Sequence, residues 1–340
     1  MEKNQTTRPT LLDIAADARV SRATVSLVIR DVPTVANATR KRVLRSIEKL
    51  GYVYHRGAAS LRMQRTRTIG LIVSDITNPF FAEVILAIEE RLAIAGFVTL
   101  LGNTSEDRVK QERLLKTMRE FPADGLLICP ALDEGPSQAP LNLGGVLPVV
   151  AVARRALGCD YAGIDNAQGA QLAADHLYRI GHRRIAFMGG NPQQSTGEER
   201  LQGYRQALAR WELPFDPLIV LPSVPNRRGG FDGVQKLLKL NGPPTAALCF
   251  NDVVALGAME ALHQLGLKPG ADFGVVGFNN IPEAAQSVPD LTTIDTAPRQ
   301  LGEAAAELLL KRIERRDAPR QTVILQPRLV VRESCGATPL

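Results

Sequence analysis

The side chains best suited to chemistry in this chain are hydrogen-bond donors and acceptors at helix starts and strand ends. One set lies in the run Thr10-Leu-Leu-Asp-Ile-Ala-Ala-Asp-Ala-Arg-Val-Ser-Arg-Ala-Thr-Val-Ser-Leu-Val-Ile29. Only Arg19 and Val20 separate Ala18 from Ser21, a turn tight enough to lay one helix across another. That is helix-turn-helix geometry, in which the second helix enters a DNA major groove with its N-terminal residues leading. A second set follows apolar runs that read as strands: Ser74-Asp-Ile-Thr-Asn-Pro-Phe-Phe81, the segment 189–200, Asn251-Asp252 and Phe278-Asn-Asn280. Reactive chemistry has no comparable signature. There is no GxSxG, P-loop or GxGxxG, and His55, His176, His182 and His263 form no site. The four cysteines (129, 159, 249, 335) have no CxxC spacing and are expected to be free thiols in a reducing compartment. No enzyme activity, cofactor or metal is therefore expected.

The elements that would hold these residues are legible as patterns. Thr10 can cap a first helix whose first turn carries Asp13, and Leu11, Ile14, Ala15 and Ala18 recur at helical spacing. Ser21 can cap the second helix over 22–30. A third, over 37–50, should present Val43, Leu44, Ile47 and Leu50 inward and stop at Gly51. Arg19 stands at a turn position that tends toward positive φ. Residues 1–68 hold fourteen Lys and Arg against five acids, while the remainder holds 27 against 30. A basic head on a slightly acidic body is the footprint of a polyanion binder. Beyond it, apolar runs at 69–73, 98–101, 125–129, 149–152, 184–188, 246–250 and 274–277 alternate with helical patterns near 80–95, 107–120, 167–180, 198–211, 230–240 and 252–265. Such alternation predicts doubly wound parallel sheets, too many strands for one unit and so two lobes. Ligands in such folds sit at the carboxyl ends of strands. The polar N-terminus lacks an apolar core, and no apolar stretch reaches eighteen residues. A cytoplasmic protein with no membrane partner is expected.

The run 10–29, then Thr39-Arg-x-Arg-Val, Leu50-Gly-Tyr, Ala58-Ala-Ser-Leu-Arg62 and matches continuing to Arg332 resemble the LacI/GalR family of bacterial repressors. The resemblance implies an α/β fold: a three-helix head (8–53), a hinge helix (54–67), and a periplasmic-binding-protein-like body. Its first lobe would be 68–158 with 291–322, its second 159–290 with 323–335. The head would touch operator DNA through Thr10, Leu11, Ser21, Arg22, Ala23, Thr24, Ser26, Leu27 and Tyr52. Arg22 suits a guanine fork, and Ala23 and Leu27 suit thymine methyls. Ser21 and Thr24 suit phosphates. In the hinge, Ala58 allows close approach and Leu61 would wedge into the minor groove. Tyr54 replaces the usual hinge proline, and Gly57 weakens the hinge helix.

The same resemblance places Asp75, Asn78, Phe80, Phe81, Thr196, Arg200, Asn251 and Asn279 around an effector between the lobes. Phe81 could equally be core, and Asp252 is expected to cap its helix. Asn279 and Ala153 stand where many relatives carry Asp, and Arg154 follows Ala153. Losing two carboxylates while keeping Arg154 and Arg200 favours an anion, because arginine holds a carboxylate bidentately. The expected effector is a sugar acid of the gluconate or 2-ketogluconate type, with a neutral sugar or a nucleobase as the alternative. A ligand-responsive repressor acting as a homodimer on a near-palindromic operator is expected, since no leucine heptads follow the body. A sugar-binding transport protein is the rival from another class.

Overall fold

The computed structural model describes residues 9–29, 32–52, 66–120, 123–131, 147–192 and 194–336. They fall into two compact units, Met1–Thr66 and Arg67–Leu340.

In the first unit, α1 (Leu11–Asp17) opens on a reciprocal capping box: Thr10 accepts from the Asp13 amide, and the Asp13 side chain accepts from the Thr10 backbone. Arg19 has φ 50, the left-handed conformation expected at this turn, which costs a non-glycine residue roughly 1–2 kcal/mol. It lets the chain reverse into α2 (Arg22–Ile29), whose start is held by the Thr24 amide donating to Ser21 Oγ at 3.1 Å. The third helix, α3 (Asn37–Leu50), stops at Gly51 with φ 63. Ile14, Ala18, Val25 and Val43 are fully buried between the three helices, and Val20 packs against them. One expected core residue is not there: Leu44 is 49% exposed, and Ser46 is buried instead. At 100° per residue, positions 43, 46, 47 and 50 share a face that 44 does not. The inward Ser46 hydroxyl donates to Asp17 at 2.5 Å, and Lys49 donates to the same carboxylate at 2.6 Å, tying α3 to α1.

The second unit contains two six-stranded sheets. The first comprises β1 (Thr68–Val73), β2 (Val98–Asn103), β3 (Gly125–Ile128), β4 (Val149–Val152), β5 (Asp160–Ile164) and β11 (Thr322–Leu325), in the order β11-β5-β4-β3-β1-β2. All its pairings are parallel. It packs with the helices α4 (Pro79–Ile94), α5 (Arg108–Glu120) and α10 (Pro298–Glu314). The second comprises β6 (Ile185–Met188), β7 (Val220–Leu221), β8 (Ala246–Cys249), β9 (Gly274–Asn279), β10 (Thr292–Asp295) and β12 (Arg328–Val330). Its order is β12-β10-β9-β8-β6-β7, and only β12 runs antiparallel. Around it lie α6 (Asn166–Arg179), α7 (Ser195–Arg210), α8 (Arg227–Leu238) and α9 (Asp252–Gln264). The central strands are buried throughout, which is why they read as unbroken apolar runs.

Lobe membership differs from the expected boundaries. Residues 160–164 and 322–325, assigned above largely to the second lobe, pair with each other and with β4 in the first sheet. Residues 292–295, assigned to the first lobe, pair with β9 in the second. Side-chain contacts across long sequence separations accompany these pairings. β5 opens on Asp160, 3% exposed, and Arg312 of α10 grips it through bonds of 2.7 and 2.8 Å. β10 carries buried threonines: Thr292 donates to Cys335 and Thr293 to Asp252. The chain thus passes between lobes three times, after β5, β10 and β11.

The α8–α9 pair depends on two glycines. A Cβ at Gly257 would lie 1.9 Å from the Arg227 carbonyl oxygen, and one at Gly230 would lie 1.9 Å from that of Val254. Gly257→Ala is expected to destabilise the body by about 1–3 kcal/mol through overpacking, seen as a lower urea midpoint with an unchanged slope.

Candidate functional site

Parallel strands end on one side of each sheet, so their following loops converge. Here they enclose a cavity of about 280 Å³. The first lobe supplies Asp75, Asn78, Phe80 and Phe81 from the loop after β1 and the start of α4, with Ala153 and Arg154 after β4. The second supplies Thr196 and Arg200 from α7, Asn251 at the start of α9, and Asn279 at the end of β9. All nine positions singled out from the sequence for an effector line this one space.

Their geometry separates scaffolding from available donors and acceptors. Asp75 Oδ1 accepts from the Thr77 amide (2.9 Å) and hydroxyl (2.6 Å). Asn78 caps α4, its Oδ1 accepting from the Phe80 amide at 3.1 Å. Phe80 and Phe81 meet edge to face with centroids 5.1 Å apart; both belong to the apolar core and still face the cavity. Asn251, not Asp252, caps α9: its Oδ1 accepts from the Val254 amide at 2.8 Å. Two polar atoms have been left over. Thr196 Oγ1 and Asn279 Oδ1 are buried with no hydrogen-bond partner, a state that costs roughly 1–3 kcal/mol each unless a ligand supplies one. Asn279 and Asn280 hold φ 118 and 56, a left-handed kink at the end of β9.

Arg200 is 5% exposed. Its guanidinium lies 3.7 Å from the Phe278 ring centroid and 4.6 Å from that of Phe250. It donates to Asn166 Oδ1 at 2.9 Å and to the Phe250 carbonyl. Burial pushes its pKa down to about 9. Arg154 is held differently. Glu106 takes both its terminal nitrogens at 2.7 Å, and the Pro130 carbonyl accepts from it at 2.9 Å.

Sequence reasoning did not single out Glu106, which also lines the cavity. The available signal is positional: it follows a strand end, but the apolar run stops at residue 101 while the strand continues to Asn103. Beneath the cavity, the buried Asp252 accepts from the Ile281 amide at 2.8 Å and from the Thr293 hydroxyl. It thereby fixes the chain immediately after the Asn279–Asn280 kink.

In the helical unit, Ser21, Arg22 and Ala23 are exposed at the start of α2, and Thr24, Ser26 and Leu27 are half-buried. Thr10 is exposed with its hydroxyl engaged by Asp13 at 2.7 Å. Leu11 and Tyr52 pack on the core. Ala58 and Leu61, with Tyr54 and Gly57, lie outside the described residues. Among the described residues no cluster of His, Cys, Asp and Glu could hold a metal ion, and no helix is long and apolar enough to cross a membrane.

Comparison with known proteins addresses both units. Residues 10–54 match bacterial regulatory proteins of the lacI family, and residues 174–335 match a periplasmic binding protein-like domain. The ribose operon repressor of Haemophilus influenzae is 35% identical over 327 residues, covering 96% of this chain and 98% of the relative. The HTH-type transcriptional repressor PurR of Aliivibrio fischeri is 37% identical over 333 residues, with the same coverage. A crystal structure of the lac repressor dimer bound to operator and the anti-inducer ONPF superposes with a TM-score of 0.82 at 25% identity, covering 96% of this chain and 99% of that one.

Burial raises the Asp252 pKa from an ordinary 3.8 to about 6, against the lowering effect of its hydrogen bonds from Thr293, Ile281 and Phe278. The folded state therefore keeps this proton to higher pH than the unfolded chain does. The resulting contribution to stability is fully present below about pH 4 and is lost as pH rises through about 6. Urea midpoints measured across that window should show this decline in the wild type and a smaller one in Asp252→Asn.

Proposed function

The chain belongs to the LacI family of bacterial regulatory proteins, and from that premise we propose a ligand-responsive repressor whose effector is a small neutral sugar of the ribose type. The exposed start of α2, with no acidic residue in its first turn, suits entry into the major groove, Arg22 leading. By analogy with the dimeric lac repressor on its operator, two heads would read two half-sites of a near-palindrome, and the Leu61 pair would wedge the minor groove between them.

One observation carries the effector assignment. Two unpartnered buried polar atoms, Thr196 Oγ1 and Asn279 Oδ1, face a cavity also walled by Phe80, Phe81 and Phe250. Polar groups fix ring hydroxyls while aromatic faces cover the apolar side of the ring. A volume of about 280 Å³ sits at the small end of the roughly 300–1,000 Å³ usual for small-molecule sites, which suits a monosaccharide. The ribose repressor relative supports the same class. The PurR relative keeps a nucleobase in the comparison. The sugar-acid reading keeps one support of its own: Arg200 is buried and charged, and its hydrogen bonds go to uncharged groups. It loses the other, since Glu106 already takes both terminal nitrogens of Arg154.

The effector would act through contacts that join the lobes. Arg155, beside the first sheet, donates to Glu199 of α7 at 2.9 Å. Asn166 donates to the other Glu199 oxygen at 2.8 Å and accepts from Arg200 at 2.9 Å. A ligand held by Arg200 therefore draws on the contact between lobes, and its preference for one lobe arrangement shifts operator affinity.

Calorimetry with D-ribose, D-gluconate, 2-keto-D-gluconate and hypoxanthine tests the assignment. Binding of D-ribose, weakened at least about ten-fold in Arg200→Gln, is expected; heat from D-gluconate or hypoxanthine alone would refute it. On the DNA side, Arg22→Ala should weaken operator binding by about 1–3 kcal/mol. Leu61→Ala should also weaken it, and unchanged affinity in gel-shift titration would remove the wedge.

A further inference from the structure

The loop after β2 places a carboxylate where an anion-binding cleft could least tolerate one. Ser105 and Glu106 hold φ 52 and 61 in succession, a left-handed pair costing non-glycine residues roughly 1–2 kcal/mol each. The strain is held in place from below. The Thr104 amide donates to the Val73 carbonyl at 2.9 Å, and the Glu106 amide donates to that of Ser74 at 3.0 Å. The result is a Glu106 carboxylate at the cavity wall, joined to Arg154 by two bonds of 2.7 Å, with side chains 20% and 10% exposed. From the other lobe, Gln194 Nε2 approaches the same carboxylate at 3.4 Å. A bidentate fork of this kind saturates the face of the guanidinium that would otherwise receive a ligand carboxylate. An anionic sugar would have to break the fork or sit beside an intact carboxylate, both unfavourable in a desolvated wall.

We propose that Glu106 is the specificity-determining residue of the cleft: by holding Arg154 in an internal ion pair, it makes the site select uncharged sugars over sugar acids. This rests on the neutral-sugar reading above and adds the residue responsible for it. Arg154 is then a neutralised wall, and among the described residues lining the cavity it is Arg200 that presents positive charge to the ligand.

The experiment is isothermal titration of the full-length protein with D-ribose and D-gluconate. Glu106→Gln should raise D-gluconate affinity at least about ten-fold, and raise the ratio of D-gluconate to D-ribose affinity by at least the same factor. The double variant Glu106→Gln, Arg154→Gln should lose that gain, because the released charge is gone. Urea unfolding of each variant establishes that it is folded; if Glu106→Gln is not, Glu106→Ala removes the same charge and is read the same way. No gain for D-gluconate, an equal change for both ligands, or a gain that survives the double substitution overturns the proposal. A wild-type preference for D-gluconate over D-ribose refutes the neutral-sugar reading itself, so the two failures are told apart by which protein shows them.

Discussion

Parallel pairing is the constraint on which the cleft depends. When neighbouring strands run the same way, each connection must leave from the carboxyl edge and return to the opposite one, most often by a helix. All pairings in the first sheet, and all but the β10–β12 pairing in the second, obey this. The loops after β1, β2, β4, β8 and β9 are thereby delivered to one cavity, although their residues lie as far apart in sequence as Asp75 and Asn279. Helices starting at that edge also point their unpaired amides toward it. Asn78 and Asn251 answer those amides with their side chains, so two of the cavity's polar residues have a structural duty first.

Burial of charge organises the rest. Asp160 with Arg312, and Glu106 with Arg154, are ion pairs whose members are largely withdrawn from water. Breaking such a pair leaves a buried charge uncompensated. The first pair fastens α10 to the start of β5. The second joins the loop after β2 to the loop after β4. Arg200 departs from the pattern, because aromatic faces and neutral acceptors surround it. Among the described residues lining the cavity, Arg200 is therefore kept in reserve and Arg154 is neutralised.

Periodic features were legible in the sequence. The helix read near 252–265 is Asp252–Gln264, and the one read near 80–95 is Pro79–Ile94, because amphipathic spacing and caps are local. The turn at Arg19 was legible for the same reason: two residues between two helical patterns leave few backbone paths. Features decided by distant partners were not. Nothing near Asp160 announces Arg312, so β5 went unread and the lobe boundary with it. Leu44 looked like core by type but lies off the buried face. Glu106 belongs to the same class, since its importance comes from Arg154, 48 positions away. The positions lining the cleft could be read; how their charges pair could not.

The three passages between lobes also govern how the protein is born. The first sheet lacks its edge strand until Leu325 has been made, and the second lacks β12 until Val330. On a ribosome that emits residues from the N-terminus, the first lobe cannot be finished before Leu325 has emerged, nor the second before Val330. The helical head needs nothing beyond its first 52 residues for its own core. It can fold far ahead of the sensor, since domains fold as units in the order they are made. A nascent chain thus carries a folded helix-turn-helix head well before its ligand-binding body is complete.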